Sequence, residues 1–311
     1  MAFVISVLAA AIAAGTAILF ACLGEILCER AGVINLGVEG MMLMGALGGF
    51  VVTVWTGSPV AGALAAMLVG GALSLIHAVL TVTLRANQVV SGLALTLFGT
   101  GLSSFLGQRF VGQAPPAAFS KVALPLLGDL PGLGPVLFRQ DWLTYASYLL
   151  VPVLWFGIYR TRPGLYLRAV GESPATTDAM GINVAGLRYL YVMLGGMLAG
   201  LGGAAISLAT NPGWTEGMTA GRGWIAIALV IFATWNPARA TVGAYLFGGV
   251  EALQFRLQSE GAGGVVSPFF LNMLPYLFTI LVLVLATQET VRRRVGAPAA
   301  LGLPYYREER S

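Results

Sequence analysis

Charged residues are scarce in this chain of 311 residues, since Asp, Glu, Lys and Arg together make up only 10%. A soluble domain normally carries about 25% charged residues, which keep its surface in water. Because 57% of the residues are hydrophobic, most of the surface is expected to face lipid. The composition excludes an ordinary soluble domain and favours an integral membrane protein.

Residues that bind metals or phosphates are also few. The chain has two cysteines, Cys22 and Cys28, and one histidine, His77, which support neither a metal site nor a disulfide framework. We interpret the thiols as small apolar fillers and His77 as a core or interfacial side chain. The one lysine, Lys121, follows Ser120, so the chain has no GxxxxGK phosphate loop. No catalytic residue, metal or cofactor is predicted.

Long apolar runs recur along the whole chain. A helix needs roughly 20 mainly apolar residues to cross the hydrocarbon core, and the sequence predicts about nine such helices, with eight to ten as the range. The predicted fold is an all-α, polytopic transmembrane bundle that forms a single domain over residues 1–311. The predicted spans are residues 3–22, 33–55, 59–84, 88–106, 143–160, 185–209, 223–235, 239–258 and 267–287.

The 17 Lys and Arg residues are distributed unevenly along the chain. With nine spans and the N-terminus outside, most of them fall on the cytoplasmic side, including Arg292, Arg293 and Arg294, in agreement with the positive-inside rule. The sequence therefore predicts an extracytoplasmic N-terminus and a cytoplasmic C-terminus. The basic residues do not form a contiguous face with interleaved aromatics, so nucleic acid is not an expected partner.

Two polar interruptions between the predicted spans differ in kind. Residues 107–142 are rich in Pro and Gly, which mark turns, and we predict an extracytoplasmic loop there. Residues 160–184 are short and basic, and we predict a cytoplasmic loop.

The cytoplasmic loop contains a compact helix signal. Ser173 can cap a helix, Pro174 fits its first position, and Gly181 suits the residue that ends it. We therefore expect a helix of about two turns over residues 174–180. Because so short a helix is marginal in water on its own, it requires a partner surface.

Polar side chains inside apolar runs are costly in lipid and are candidates for a solute pathway. Asn35 and Glu39 are four residues apart and share a face wherever the backbone is helical. Gly32, Gly37 and Gly40 favour a break in the helix, and unwound backbone at membrane depth is tolerated only where it is buried in protein or lines a cavity. For Asn35 and Glu39, two roles stay open: cavity lining, and a structural role in a charged first helical turn.

Three charged residues precede this group: Glu25, Glu29 and Arg30. We interpret them as a solvated cytoplasmic turn, although a place within the pathway is an alternative.

Other polar residues in or beside the predicted spans are candidates for the pathway on the same ground. Asn87 and Gln88 open the fourth predicted span, and Glu251 shares one face of the eighth with two glutamines. Trp214, in the external loop before the seventh span, could stack on a planar base or sugar, although we favour a place at the membrane interface, where tryptophan is enriched. The candidate pathway residues are Asn35, Glu39, Asn87, Gln88, Trp214 and Glu251.

Four sequence blocks carry a family resemblance. They are ERAGVINLGVEGMMLMGA at 29–46, ANQVVSGLALTLFGTGLSSFLG at 86–107, LRAVGESPATTDAMGINV at 167–184 and GRGWIAIALVIFATWNPARATVGAYLFGGVEALQFRLQ at 221–258. Together they resemble the permeases of bacterial ATP-binding-cassette (ABC) importers for nucleosides and simple sugars, within the branched-chain amino acid and ribose-type superfamily. The similarity is strongest to the shorter permease of nucleoside uptake systems.

The resemblance implies both a function and a set of partners. Such permeases form the pathway for nucleosides in the bacterial cell membrane, and ATP hydrolysis is carried out by a separate cytosolic ATPase, so the chain is not expected to be an enzyme. They pair with a second, related permease, so a heterodimer is expected, and they receive solute from an extracytoplasmic binding lipoprotein. In the family, the stretch that matches 172–181 is the helix that couples to the ATPase. The corresponding residues are Glu172, Ser173, Pro174, Ala175, Thr176, Thr177, Asp178, Ala179, Met180 and Gly181.

Three other functions compete with this one. A permease for simple sugars of the ribose or galactose type is the nearest alternative. A secondary transporter driven by an ion gradient would need acidic and basic relay residues within the membrane, yet all three Asp residues fall in predicted loops. A membrane-embedded enzyme would need convergent nucleophiles, acids or metal ligands, which the sequence does not suggest.

Overall fold

The computed structural model describes residues 2–259, 268–286 and 296–306, and these residues are mostly helical. The predicted cluster of Arg292, Arg293 and Arg294 lies outside the described residues. The helices are α1 (Ala2–Arg30), α2 (Val38–Thr56), α3 (Pro59–Ala78), α4 (Gln88–Gly107), α5 (Leu133–Leu137), α6 (Trp142–Arg160), α7 (Arg162–Glu172), α8 (Pro174–Ala179), α9 (Val184–Ala205), α10 (Arg222–Phe232), α11 (Pro237–Ser259) and α12 (Pro268–Ala286).

Short irregular elements complete these helices. A π-helical turn extends α3 through Val79–Thr83, another extends α9 through Ile206–Thr210, and a 3₁₀ turn follows α4 at Gln108–Phe110. Two strands of two residues each, β1 (Val122–Ala123) and β2 (Arg139–Gln140), pair antiparallel within the predicted 107–142 loop.

Six of the described helices are long and apolar enough to cross a membrane. The prediction of a helical, polytopic membrane protein is therefore confirmed. The six are Phe3–Arg30, Val38–Thr56, Pro59–Thr83, Gln88–Phe110, Trp142–Arg160 and Val184–Thr210.

The last three predicted spans correspond to helices of different kinds. At the predicted seventh span, α10 has only 11 residues, which is too few to cross the hydrocarbon core as a helix. At the eighth, α11 contains Arg239, Glu251 and Arg256, and α12 occupies the position of the ninth.

The first two predicted spans required correction at their boundary. The first helix does not end near residue 22 but continues to Arg30. The second does not begin at residue 33, because α2 starts only at Val38. Residues 31–37, which we call the break, connect the two helices, and Gly32 there has a φ of +83°, a conformation that favours glycine. The predicted interruption of the helix is thus confirmed.

Glycines bring α9 into close contact with α2 and α3. A Cβ atom added to Gly45 of α2 would overlap the backbone of Gly200 in α9, and one added to Gly70 of α3 would overlap the carbonyl of Gly196 in α9. Small residues at such positions let helix backbones approach in lipid, where van der Waals packing drives association. The same helices, with α1, α10 and α11, contribute to one large apolar core.

The break lies at the same end of the bundle as α7 and the last described residues. Gly302 N–H donates to the carbonyl of Gly32 (3.2 Å), and Ala300 N–H donates to the carbonyl of Gly171 at the end of α7 (2.9 Å). Since α8 follows α7 directly, we call this the α8 end. The opposite end carries the loop between α4 and α6, where Gln140 Nε2 donates to the carbonyl of Ala9 in the first part of α1 (3.1 Å).

Candidate functional site

The break is held in place by hydrogen bonds from side chains of the surrounding helices. Asn35 N–H donates to Glu25 Oε1 of α1 (2.9 Å). Ile34 N–H donates to Gln88 Oε1 at the start of α4 (2.7 Å). Asn35 and Gln88 are both nearly fully buried. Backbone polar groups buried away from water need such partners, so the side chains of Glu25 and Gln88 brace the break. The side chain of Asn35 contributes through Oδ1, which accepts from the N–H of Gly37 (3.0 Å).

Two further side chains complete the bracing. Thr96 Oγ1 of α4 donates to the carbonyl of Leu36 (2.8 Å). His77 of α3 is fully buried, with Nε2 2.9 Å from the carbonyl oxygen of Ile34 and Nδ1 3.0 Å from Ser91 Oγ. The interpretation of His77 as a core side chain is confirmed.

The interpretation of Glu25 and Glu29 as part of a solvated turn is wrong. Both lie inside the continued helix α1 and are only 1% and 4% exposed, respectively. Glu29 Oε2 accepts a hydrogen bond from the indole of Trp235 (2.5 Å), and Arg30, which is half-buried, donates to the hydroxyl of Tyr159 (3.1 Å). The sequence alone could not show that α1 extends past its apolar run and that other segments cover these residues.

Glu39, in the first turn of α2, binds the segment that begins α10. Its Oε1 accepts from Thr219 Oγ1 (2.6 Å) and from the N–H of Gly221 (2.9 Å), and its Oε2 accepts from the N–H of Gly223 (2.6 Å). An anionic side chain at a helix N-terminus is favoured by the helix dipole and by the free N–H groups there. Of the two roles open to Glu39, these contacts support the structural one.

Arg222, within the segment that Glu39 binds, forms an ion pair with Glu251 of α11. Each of the two side chains is 13% exposed. Arg222 also donates to the carbonyls of Met218 (3.0 Å) and Thr219 (3.2 Å). The guanidinium is therefore fixed on one side by its own loop and on the other by the carboxylate of Glu251.

Glu251 borders two cavities. The larger, with a volume of about 500 Å³, lies between α1, the π-helical turn that follows α9, the end of α11 and the loop before α6. The smaller, of about 340 Å³, is bordered by Arg222 and Gln254. Both are lined by Glu251 and Phe255. Side chains of both charges and two aromatic rings face the larger cavity: Phe119, Lys121, Asp141, Glu251, Phe255 and Arg256.

Most residues of the larger cavity were not among the candidates chosen from sequence. Lys121 lies near the middle and Asp141 at the end of the Pro- and Gly-rich loop, and the two come together only in the fold. Arg256 could have been chosen from the sequence, because a cation within an apolar run is costly in lipid. It lies on the same helix as Glu251.

The other two candidates lie away from this cavity. Asn87 caps α4, with its Oδ1 accepting from the N–H groups of Val89 (3.0 Å) and Val90 (3.1 Å). Trp214 is 1% exposed and packs in an apolar cluster with Leu43 and Phe50. The ring of Trp214 is therefore buried within the chain, and its position at the membrane interface stays a prediction.

The predicted short helix between the fifth and sixth spans is confirmed as α8. Ser173 Oγ accepts from the N–H of Thr176 (3.4 Å), Pro174 is the first helical residue, and Gly181 has a φ of +79°. The helix exposes one face, and Met180 just beyond it is 77% exposed. The preceding helix α7, which was not predicted, begins after Thr161, whose hydroxyl caps it.

The sequence is similar to a family of membrane permeases and to several of its known members. Residues 7–287 match the family model described as branched-chain amino acid transport system / permease component. The chain is 46% identical to the "Putative glucose ABC transporter permease protein TsgC13" of Haloferax volcanii, covering 99% of each chain. It is 34% identical to the guanosine ABC transporter permease protein NupQ of Bacillus subtilis, covering 93% of this chain and 92% of the relative.

Two further similarities concern a nucleoside permease and a solved structure. The chain is 36% identical to the nucleoside ABC transporter permease protein NupC of Lactococcus lactis, covering 94% of each chain. A solved structure described as an inward-facing conformation of a "putative metal-chelate type ABC transporter" matches 89% of this chain and 84% of its own, with a TM-score of 0.51 and 17% sequence identity. At that identity the structural similarity shows a shared fold alone.

Proposed function

Because the chain belongs to the permease family of branched-chain amino acid transport systems, we propose that it forms the membrane pathway for nucleosides in an ABC importer. As a permease component of such an importer, it is a multi-pass protein of the cytoplasmic membrane and a transport subunit rather than an enzyme. The family implies an ATPase and a solute-binding protein as partners.

The larger cavity beside Glu251 is the observation that carries the proposal for the pathway. Its volume of about 500 Å³ falls within the range of roughly 300–1,000 Å³ typical of small-molecule sites. Phe119 and Phe255 offer aromatic faces for a planar base. The carboxylate of Glu251 can accept hydrogen bonds from ribose hydroxyls, and the ammonium group of Lys121 can donate to them. In this proposal Glu251 is the pathway residue, and Asn35, Gln88 and Glu39 act by holding the surrounding backbone.

The same proposal includes a topology of nine membrane segments with the N-terminus outside. The seventh consists of the short helix α10 together with the chain next to it, and α11 and α12 are the last two. The α8 end would then be cytoplasmic, residues 160–184 the cytoplasmic loop and residues 107–142 the extracytoplasmic loop. The positive-inside rule supports this orientation, because arginines are concentrated at the α8 end. They are Arg30, Arg85, Arg160, Arg162, Arg168, Arg188 and Arg239.

Energy would enter through α8. The exposed face of this helix and Met180 provide the surface that the ATPase would contact, with Glu172 through Gly181 as the coupling segment. A second, related permease would pair with this chain to form a heterodimer. Alternating access would follow from rigid movement of helices around the cavities, as in other two-state transporters.

A permease for glucose is the second candidate. The 46% identity with a relative named as a glucose permease, over 99% of each chain, favours it. Sugar hydroxyls could bind the same acidic and basic side chains of the larger cavity, so the cavity does not by itself separate the two solutes.

Uptake by the assembled complex would test both candidates. The chain, its second permease and the ATPase would be reconstituted in liposomes with the binding protein, and uptake of radiolabelled guanosine, uridine, ribose and glucose would be measured with ATP. We expect ATP-dependent uptake of the nucleosides and none with an ATPase that cannot hydrolyse ATP. Uptake of glucose alone would support the second candidate, and uptake independent of ATP would contradict the proposal.

A further inference from the structure

Residues 296–306, which we call the strap, lie across the α8 end of the bundle. Ala300 N–H donates to the carbonyl of Gly171 in α7 (2.9 Å), and Gly302 N–H donates to the carbonyl of Gly32 in the break (3.2 Å). Ala300 is only 7% exposed. The strap therefore joins the last turn of α7 to the break by backbone hydrogen bonds.

A buried arginine strengthens the connection between the strap and the break. Arg188 of α9 is 2% exposed. Its Nε donates to the carbonyl of Ala31 (3.2 Å), and its Nη1 donates to the carbonyl of Leu303 (3.3 Å). Burying a charged group is costly unless it is hydrogen-bonded. These bonds therefore hold the carbonyls of the break and the strap to one fixed guanidinium.

The packing around Gly32 leaves little space between these elements. A Cβ atom at Gly32 would lie 3.0 Å from Arg188 Nη2 and 3.2 Å from the carbonyl oxygen of Ala300. A Cβ atom at Gly302, which has a φ of +79°, would lie 3.0 Å from Ile34 Cδ1. Such close-packed contacts transmit displacement instead of absorbing it.

The strap also contacts the residues immediately before α8. Ala299 N–H donates to Glu172 Oε2 (3.4 Å), and Pro298 packs against Gly171, where an added Cβ would lie 3.1 Å from the proline Cβ. Glu172 is the residue before Ser173, which caps α8. The strap therefore contacts the chain two residues before α8 begins. A movement of α8 would be passed directly to the strap through this contact.

From these contacts we propose that the strap is a positioning segment for energy coupling, which fixes the break to the base of α8. When α8 is displaced, the strap moves the break, and the break sets the relative placement of α1 and α2. This inference rests on the proposed function, in which α8 contacts an ATPase. It adds residues 298–303 and Arg188 to the coupling machinery and leaves the exposed face of α8 for the partner.

Two truncations provide a matched test in the complete complex. A stop codon after residue 295 removes the strap, whereas one after Tyr306 removes only the residues that follow it. Two point variants complete the set. Ala300→Pro removes the N–H that donates to the carbonyl of Gly171, and Leu165→Ala changes a side chain of α7 that is 54% exposed and lies outside the strap. Solute transported, ATP hydrolysed and co-purification of the ATPase would be measured for each variant.

We expect the truncation after residue 295 and Ala300→Pro to lower solute transported per ATP by roughly five- to tenfold, within the usual range of coupling between sites. ATP hydrolysis and binding of the ATPase should stay near those of the unmodified complex. The truncation after Tyr306 and Leu165→Ala should leave the ratio unchanged.

An unchanged ratio of solute transported to ATP hydrolysed in the truncation after residue 295 and in Ala300→Pro would overturn the inference. A proportional fall of transport and hydrolysis would also overturn it, because loss of a merely structural contact would lower both together. If the longer truncation does not assemble, Ala300→Pro decides between these outcomes. The role of the strap is tested by solute transported per ATP in each variant relative to the unmodified complex. The proposed function is tested separately, because it would fail if the unmodified complex took up no solute.

Discussion

Arg222 at the start of α10 forms an ion pair with Glu251 of α11, and Glu251 lines both cavities of the candidate pathway. The loop that carries Arg222 is in turn bound by Glu39 of α2 through three hydrogen bonds. Glu39, which lies near the break, is thereby connected to Glu251 and both cavities through the segment that carries Arg222. This chain of contacts gives Glu39 and Glu251 different roles, and the two roles can be tested separately.

Reversal of one charge in the pair should impair transport. Glu251→Arg would place two guanidinium groups together, and removing one partner of a largely buried pair costs roughly 2–5 kcal/mol. We expect uptake by the reconstituted complex to fall at least tenfold, a loss of about 1.4 kcal/mol or more. The double variant Arg222→Glu with Glu251→Arg should recover part of it. Leu253→Ala, at a 41% exposed position of the same helix, is the control, and a double variant as inactive as the single one would contradict this prediction.

Glu39 should contribute to stability more than to solute recognition. Glu39→Ala would leave one hydroxyl and two backbone N–H groups without their acceptor, at a cost of roughly 1–3 kcal/mol for each unsatisfied group. We expect a clear fall in the melting temperature of the purified protein, with a smaller fall for Glu39→Gln, which keeps one acceptor oxygen. If Glu39→Gln instead abolished uptake at an unchanged melting temperature, Glu39 would line the pathway.

Bracing of the break can be tested at Gln88. Gln88→Ala would leave the buried N–H of Ile34 without a partner and should destabilise the protein by roughly 1–3 kcal/mol. Asn87→Ala removes a cap on the neighbouring residue and should cost about 1 kcal/mol. Neither variant should change the ratio of guanosine to glucose uptake. A changed ratio for Gln88→Ala alone would show that its side chain contacts solute.

Close approach of α2 and α9 should depend on Gly45. Gly45→Leu would force a side chain into the backbone of Gly200 and should lower stability by at least about 2 kcal/mol, measured as loss of folded protein after detergent extraction. Gly101→Leu is a matched control on α4, because a Cβ atom there meets no atom within 4 Å. Equal yields from the two variants would show that α2 and α9 can separate without loss of the fold.

The exposed end of the coupling segment should be needed for binding of the ATPase. Met180→Asp would place a charge at a position that is 77% exposed, so stability should not change. An exposed apolar residue at a protein interface can contribute about 1 kcal/mol or more, and we expect less ATPase to co-purify with the variant. Leu126→Asp, at an 88% exposed position in the loop between α4 and α6, is the control. Equal co-purification for both variants would contradict a coupling role at this position.

Features that depend on composition and local pattern could be predicted from the sequence by itself. Apolar runs identified the membrane helices, because only a backbone with internal hydrogen bonds is stable in lipid. The α8 helix was predicted from Ser173, Pro174 and Gly181, because helix caps act within a few residues.

The tertiary structure alone decided what the polar side chains contact. Glu25 and Glu29 looked like a solvated turn, yet the continued helix α1 and the segments packed on it bury them. Lys121 and Asp141 meet Glu251 around one cavity, although they come from distant parts of the sequence. The physical reason is that burial and hydrogen bonding depend on which helices pack across from a residue, and such long-range contacts leave no signal in local composition or spacing.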